Sequence, residues 1–153
     1  MSSFIPDFPM DGCITVNRII LKPEYTVDDL EERVAFLCEN VKTYHSDTGF
    51  VGGFVCMNSG NISNEGSSAG QAVDSPLKGR EALVVTFWRS FAEHEQSHRS
   101  PTFQPLFEDV LELCENGNEE IGYDLLWAGK GYSAEEAAAA RKAKEAHLRP
   151  TGS

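Results

Sequence analysis

The stretch 82–107, ALVVTFWRSFAEHEQSHRSPTFQPLF, constrains this chain more than any other. A short apolar run rich in β-branched residues reads as a strand, and Ser90 with Glu93 three residues on makes a capping box that starts a helix at once. That helix carries His94-Glu95-Gln96-Ser97-His98, which puts two imidazoles four residues apart on one helix face. Pro101 is disfavoured inside a helix but suits the first turn of a new one, so a break is predicted near residue 100. Beyond it Phe103, Leu106, Phe107, Val110, Leu111 and Cys114 continue an apolar face as far as Asn116-Gly117.

The rest of the chain supplies partners for this strand and helix. Residues 13–21, CITVNRIIL, read as a first strand stopped by Pro23. Thr26 and Asp29 then cap a helix on which Val27, Leu30, Val34, Leu37, Val41 and Tyr44 recur at spacings of three and four, with acidic residues in the first turn and Gly49 at the end. Residues 50–57, FVGGFVCM, read as a second strand in which Gly52-Gly53 marks a bulge or a close backbone approach. Residues 58–80 are crowded with Gly, Ser and Asn and read as a long flexible loop. A last strand is predicted over 120–128, where Ile121, Tyr123, Leu125 and Trp127 alternate with other residues, and Ser133 with Glu136 caps an alanine-rich helix. Residues 1–12, with Pro6, Pro9 and Gly12 among aromatics, form an arm, 13–129 the domain, and 130–153 a helical tail with little to bury.

Charge and cysteine usage exclude several functions. Twenty-four acidic against 13 basic residues leave a formal charge of −11, which repels nucleic acid and anionic membranes, so neither is an expected partner. The N-terminus has neither a basic nor an apolar leader segment, and no run approaches the ~18 apolar residues of a membrane span. Cys13, Cys38, Cys56 and Cys114 stand singly in apolar segments, without metal or redox spacing. A cytoplasmic protein with free thiols is the expectation.

The predicted order β-α-β-β-α-β is the ferredoxin-like α+β pattern. With VNRIILKP in the first strand, VVTFWRS in the third, SFAEHEQSHRSPTF at the helix start and YDLLW in the last strand, the chain resembles the antibiotic-biosynthesis-monooxygenase group of the dimeric α/β-barrel superfamily. The resemblance implies a homodimer whose two sheets close into one barrel, with a pocket in each protomer between its sheet and its helices. It implies a small-molecule substrate; relatives include cofactor-free monooxygenases of aromatic polyketides, haem-degrading oxygenases, cyclases, isomerases and proteins of no known activity. The haem-degrading branch is similar in Asn17 within VNR and in FWRS. Its functional tryptophan and iron-binding histidine, however, fall on Ser97 and Phe107 here.

Three chemistries compete for the histidines. HEQSH satisfies the H-E-x-x-H pattern of a zinc hydrolase, but the extended form of that motif needs Gly at 101 and His at 104, where this chain has Pro101 and Gln104. Glu115, Glu119 and Glu120 remain as candidates for a third ligand. Haem binding through His98 would need a different geometry from that of the resembling branch. Cofactor-independent proton transfer asks for least: a base, His94 or His98, an oxyanion partner, Asn17, and walls for a flat substrate from Trp88, Tyr123, Trp127, Phe107 and Ser97. The expected function is therefore oxidation, cyclisation or isomerisation of an aromatic or polyketide-like compound without a cofactor, with a non-catalytic binding or partner barrel as the alternative.

Overall fold

A computed structural model describes residues 8–62, 71–72 and 75–148. Its elements are β1 (Cys13–Ile20), α1 (Val27–His45), β2 (Phe50–Met57), β3 (Asn61–Ile62), β4 (Gln71–Ala72), β5 (Glu81–Trp88), α2 (Phe91–Ser97), α3 (Phe103–Glu112), β6 (Glu120–Asp124) and α4 (Ala134–Leu148). β2, β5, β1 and β6 lie in that order in one antiparallel sheet, the ferredoxin-like α+β arrangement.

Period-two alternation gives the sheet two unlike faces. On β1, Cys13, Thr15, Asn17 and Ile19 face α1, α2 and α3, and on β5 so do Ala82, Val84, Thr86 and Trp88. Ile19, Leu30, Val34, Trp88, Val110 and Leu113 form the core between sheet and helices. The opposite face carries Ile14, Val16, Leu83, Val85 and Phe87, and on β6 Ile121 and Tyr123, which are 51% and 48% exposed. No helix covers it. Phe8, from the end of the N-terminal arm, meets Phe87 edge-on at 5.2 Å between centroids.

Local chemistry explains the boundaries. Thr26 and Asp29 form a full capping box at the start of α1, and Gly49 takes φ +116° after its end. On β2 the register shifts between Phe50 and Gly52, and a Cβ at Gly53 would stand 2.6 Å from the Val85 carbonyl oxygen. The glycine pair thus serves as both bulge and close approach. Ser90 Oγ accepts from Glu93 N–H at 3.1 Å to start α2, which stops at Ser97, as Pro101 predicts, before α3 resumes at Phe103. Ser133 caps α4 through the Glu136 N–H, and α4 buries no residue.

Two expectations need correction. The last strand ends at Asp124, not at 128: alternation persists to Trp127, but the pairing with β1 ends where β1 begins, at Cys13 opposite Asp124. Within the predicted loop 58–80, β3 and β4 form a two-residue antiparallel ladder, too short to leave any periodicity in the sequence. Asn58 also ties the loop's start to β5, donating through Nδ2 to Glu81 Oε1 at 3.0 Å. Residues 63–70 and 73–74 of that loop, and 1–7 of the arm, lie outside the described residues. Among the described residues no helix is long and apolar enough to cross a membrane.

Candidate functional site

A cavity of about 470 Å³ opens between the helix-facing side of the sheet and the three helices that cover it. Its walls are apolar and aromatic, from Leu37, Val41, Phe50, Val84, Trp88, Phe103 and Phe107. One polar cluster interrupts them: Asn17 from β1, His94, Ser97 and His98 from α2 and its C-cap, and Glu120 from β6.

The cluster follows from register and helix pitch. Asn17 lies opposite Glu120 across the β1–β6 ladder, so both side chains leave the same face. The four-residue spacing of His94 and His98 brings their rings to 4.4 Å between centroids, one edge-on to the other. His94 is only 3% exposed and stands edge-on to Trp88 at 5.3 Å. His98 stacks on Phe103 at 4.7 Å and is partly open to the cavity. Burial, and then the neighbouring His94 ring, push the His98 pKa down from its ordinary value.

Carboxylates flank the two rings on both sides. Glu120 Oε1 is 3.2 Å from His94 Nε2 and 3.9 Å from His98 Nε2. Glu95 Oε1 is 3.3 Å from His94 Nδ1 and 4.0 Å from His98 Nδ1. Two buried polar atoms here have no hydrogen-bond partner, His94 Nδ1 and Asn17 Oδ1. Such atoms are uncommon in a folded interior.

The predicted site residues divide sharply. Asn17, Trp88, His94, Ser97, His98 and Phe107 all line the one cavity. Ser97 is fully buried and its hydroxyl donates to the His94 carbonyl at 2.6 Å, so its donor is already used inside the helix. Trp88 donates through Nε1 to Thr86 Oγ1 at 2.8 Å and serves as core and wall together. Tyr123 and Trp127 do not join them. Tyr123 points from β6 to the open face, one position out of phase with Glu120 and Gly122, and Trp127 lies beyond the strand, 79% exposed. Glu120, foreseen only as one of three possible metal ligands, proves to be the central carboxylate. Its position opposite Asn17 requires the pairing register, which neither strand carries alone.

Fold and site together define a small ferredoxin-like α+β protein with a ligand-sized pocket between sheet and helices. Among solved structures the chain is similar to a conserved protein from Methanosarcina mazei Go1, with 16% identity and TM-score 0.56 over 76% of this chain and 95% of that one. It is similar to a single-residue variant of SnoaB, a cofactor-independent oxygenase from Streptomyces nogalater, with 14% identity and TM-score 0.56 over 77% and 96%. It is also similar to a hydroxynitrile lyase from Passiflora edulis, with 12% identity and TM-score 0.53 over 80% and 100%. The fold is therefore the one found in antibiotic biosynthesis monooxygenases. No family model matches the sequence, and no curated protein matches it.

Proposed function

We propose that this protein is a small-molecule enzyme of the antibiotic-biosynthesis-monooxygenase type, acting on an aromatic or polyketide-like compound by histidine-assisted proton transfer. The observation that carries the reading is the convergence of Asn17, His94, His98 and Glu120 at one spot of an otherwise aromatic-walled cavity of about 470 Å³. Pockets of this kind hold a flat apolar ligand and orient it through a few polar groups. His98, partly open to the cavity, is placed to take a proton from a phenol or an activated carbon, with Glu120 near its Nε2 to stabilise the imidazolium. The side-chain N–H of Asn17 can donate to the oxyanion left behind. The resulting carbanion can donate electrons to dioxygen, cyclise or isomerise, and none of these requires an organic redox cofactor. Fold neighbours support the reading by including a cofactor-independent oxygenase and a lyase, which share a fold across different chemistries.

The second part of the proposal is a homodimer. The open face presents Ile14, Val16, Leu83, Phe87, Ile121 and Tyr123 as one apolar surface, which a second copy of the same sheet would bury. Light scattering at micromolar concentration should give twice the chain mass; a monomer would refute the dimer.

For the chemistry, oxygen consumption and product formation are measured with a panel of polycyclic phenols. Asn17→Ala and His98→Ala should each lower turnover by about 10²–10⁴, the usual contribution of a positioned acid–base group or oxyanion donor. Unchanged turnover in both variants refutes the assignment, and tight binding of these phenols without turnover makes the protein a binding barrel.

A further inference from the structure

We infer that His94, His98 and Glu120 form a site for one divalent first-row transition cation, with Glu95 holding the two imidazoles from behind. Each ring presents Nε2 to Glu120, at 3.2 and 3.9 Å, and Nδ1 to Glu95, at 3.3 and 4.0 Å. One donor atom from each of the four residues falls within 4.8 Å of all the others. Bonds of about 2.0–2.2 Å to a common ion separate neighbouring donors by roughly 3 Å at a right angle and 3.5 Å at a tetrahedral one. Around Glu120 the 3.2 Å separation to His94 falls inside that range, and the 3.9 Å separation to His98 lies a few tenths of an ångström beyond it.

The electrostatics of the cluster favour an ion between the donors. A neutral imidazole has one N–H and one lone pair. In the tautomer with the proton on Nδ1, the side of Glu95, both Nε2 lone pairs face the Glu120 carboxylate, an arrangement that repels unless a cation lies between. A second observation is independent of these distances. Asn17 Oδ1, buried on the residue opposite Glu120, has no hydrogen-bond partner. Polar atoms buried and unpaired at the lip of a donor cluster mark a site completed by something else.

Two imidazoles and one carboxylate suit zinc, cobalt, manganese, iron or nickel rather than magnesium or calcium, which take oxygen donors. Three protein ligands leave coordination positions open, and the cavity lies on that side. Glu95 lies on the Nδ1 side of the rings, where it orients them as an outer carboxylate. That is not where the water-activating base of a zinc hydrolase would stand. The ligand expected on the open positions is the oxygen of a phenol, an enol or a similar small acid. An ion held there would occupy both imidazoles as ligands, so the base role proposed above for His98 belongs to the metal-free protein; in the loaded protein the positive charge would make the substrate oxygen's own proton easier to lose to solvent.

Binding is measured without any substrate, so failure here is distinguishable from failure of the proton-transfer reading. Chelator-treated full-length protein is titrated with cobalt(II), followed by its d–d absorption, and with zinc(II) in competition. One ion per chain is expected, lost in His94→Ala and His98→Ala. The nearly isosteric Glu95→Gln should weaken affinity by about 10- to 100-fold and Glu120→Gln by more. Circular dichroism of each apo variant separates loss of the site from loss of the fold. No cobalt spectrum, or an affinity that Glu120→Gln and His98→Ala leave unchanged, overturns the inference.

Discussion

The two faces of the four-stranded sheet are built from alternate residues of the same strands, yet they have opposite characters. The helix-facing side mixes core residues with Thr15, Asn17, Thr86 and Glu120, and it encloses the cavity. The open side is apolar from Ile14 to Tyr123, with charge only at its end, where Arg18 Nε donates to Glu81 Oε2 at 2.7 Å. The difference teaches that polarity here follows the cavity rather than the solvent. The covered face holds the unpaired Asn17 Oδ1, and the uncovered face holds the exposed Ile121 and Tyr123. That inverts the usual rule for a sheet with one wet side.

The largest expected effect breaks the covered face. Trp88 is 2% exposed and packs against Phe50, His45 and His94, so Trp88→Ala should cost about 3–5 kcal/mol in denaturant unfolding. A cost below about 1 kcal/mol would mean that the cavity collapses freely, and that its walls are not fixed by packing.

Next comes the open face. Ile121 is half exposed, so a charge there leaves the protomer folded but is buried against a like charge in any face-to-face dimer. Ile121→Asp should raise the dimer dissociation constant by at least about 100-fold, read by light scattering across a dilution series. An unchanged dimer would place the interface elsewhere.

A smaller effect of opposite sign tests the polar cluster. Because Asn17 Oδ1 is buried and unpaired, Asn17→Leu should raise stability by about 1 kcal/mol while abolishing turnover. A loss of stability would show that the carbonyl has a partner in solution.

The smallest effect lies at the charged end of the open face. The Asn58 amide, then the Arg18 guanidinium, hold the Glu81 carboxyl below its ordinary range. A carboxylate whose folded pKa is depressed contributes stability above its unfolded pKa and loses it as pH falls through the folded value. Wild type should therefore melt above Glu81→Gln at pH 7, and the gap should close in acid below about pH 4. A constant gap across that range would assign the difference to packing.

Much of this was legible from local pattern. The helix caps at Thr26, Ser90 and Ser133, the break near Pro101 and the glycine-marked bulge of β2 each rest on residues a few positions apart. Trp88 and the two histidines were legible for the same reason, since i,i+4 spacing and strand alternation are short-range rules. Misjudged were the features that depend on pairing. Tyr123 and Trp127 shared an alternation that looked like one strand, but β1 ends opposite Asp124, and parity turns Tyr123 to the far face. Sequence alone likewise left Glu115, Glu119 and Glu120 equivalent as third ligands, whereas register puts Glu120 opposite Asn17 and beside both Nε2 atoms.

The chain by itself thus determined its main helices and four long strands, their order and the placing of His94 and His98 on one helix face, because propensity, capping and periodicity act over neighbouring residues. Only the tertiary structure decided which carboxylate meets those imidazoles and which aromatics share their cavity. Those contacts join elements distant in the chain, and they exist only when antiparallel register and helix packing have brought the faces together.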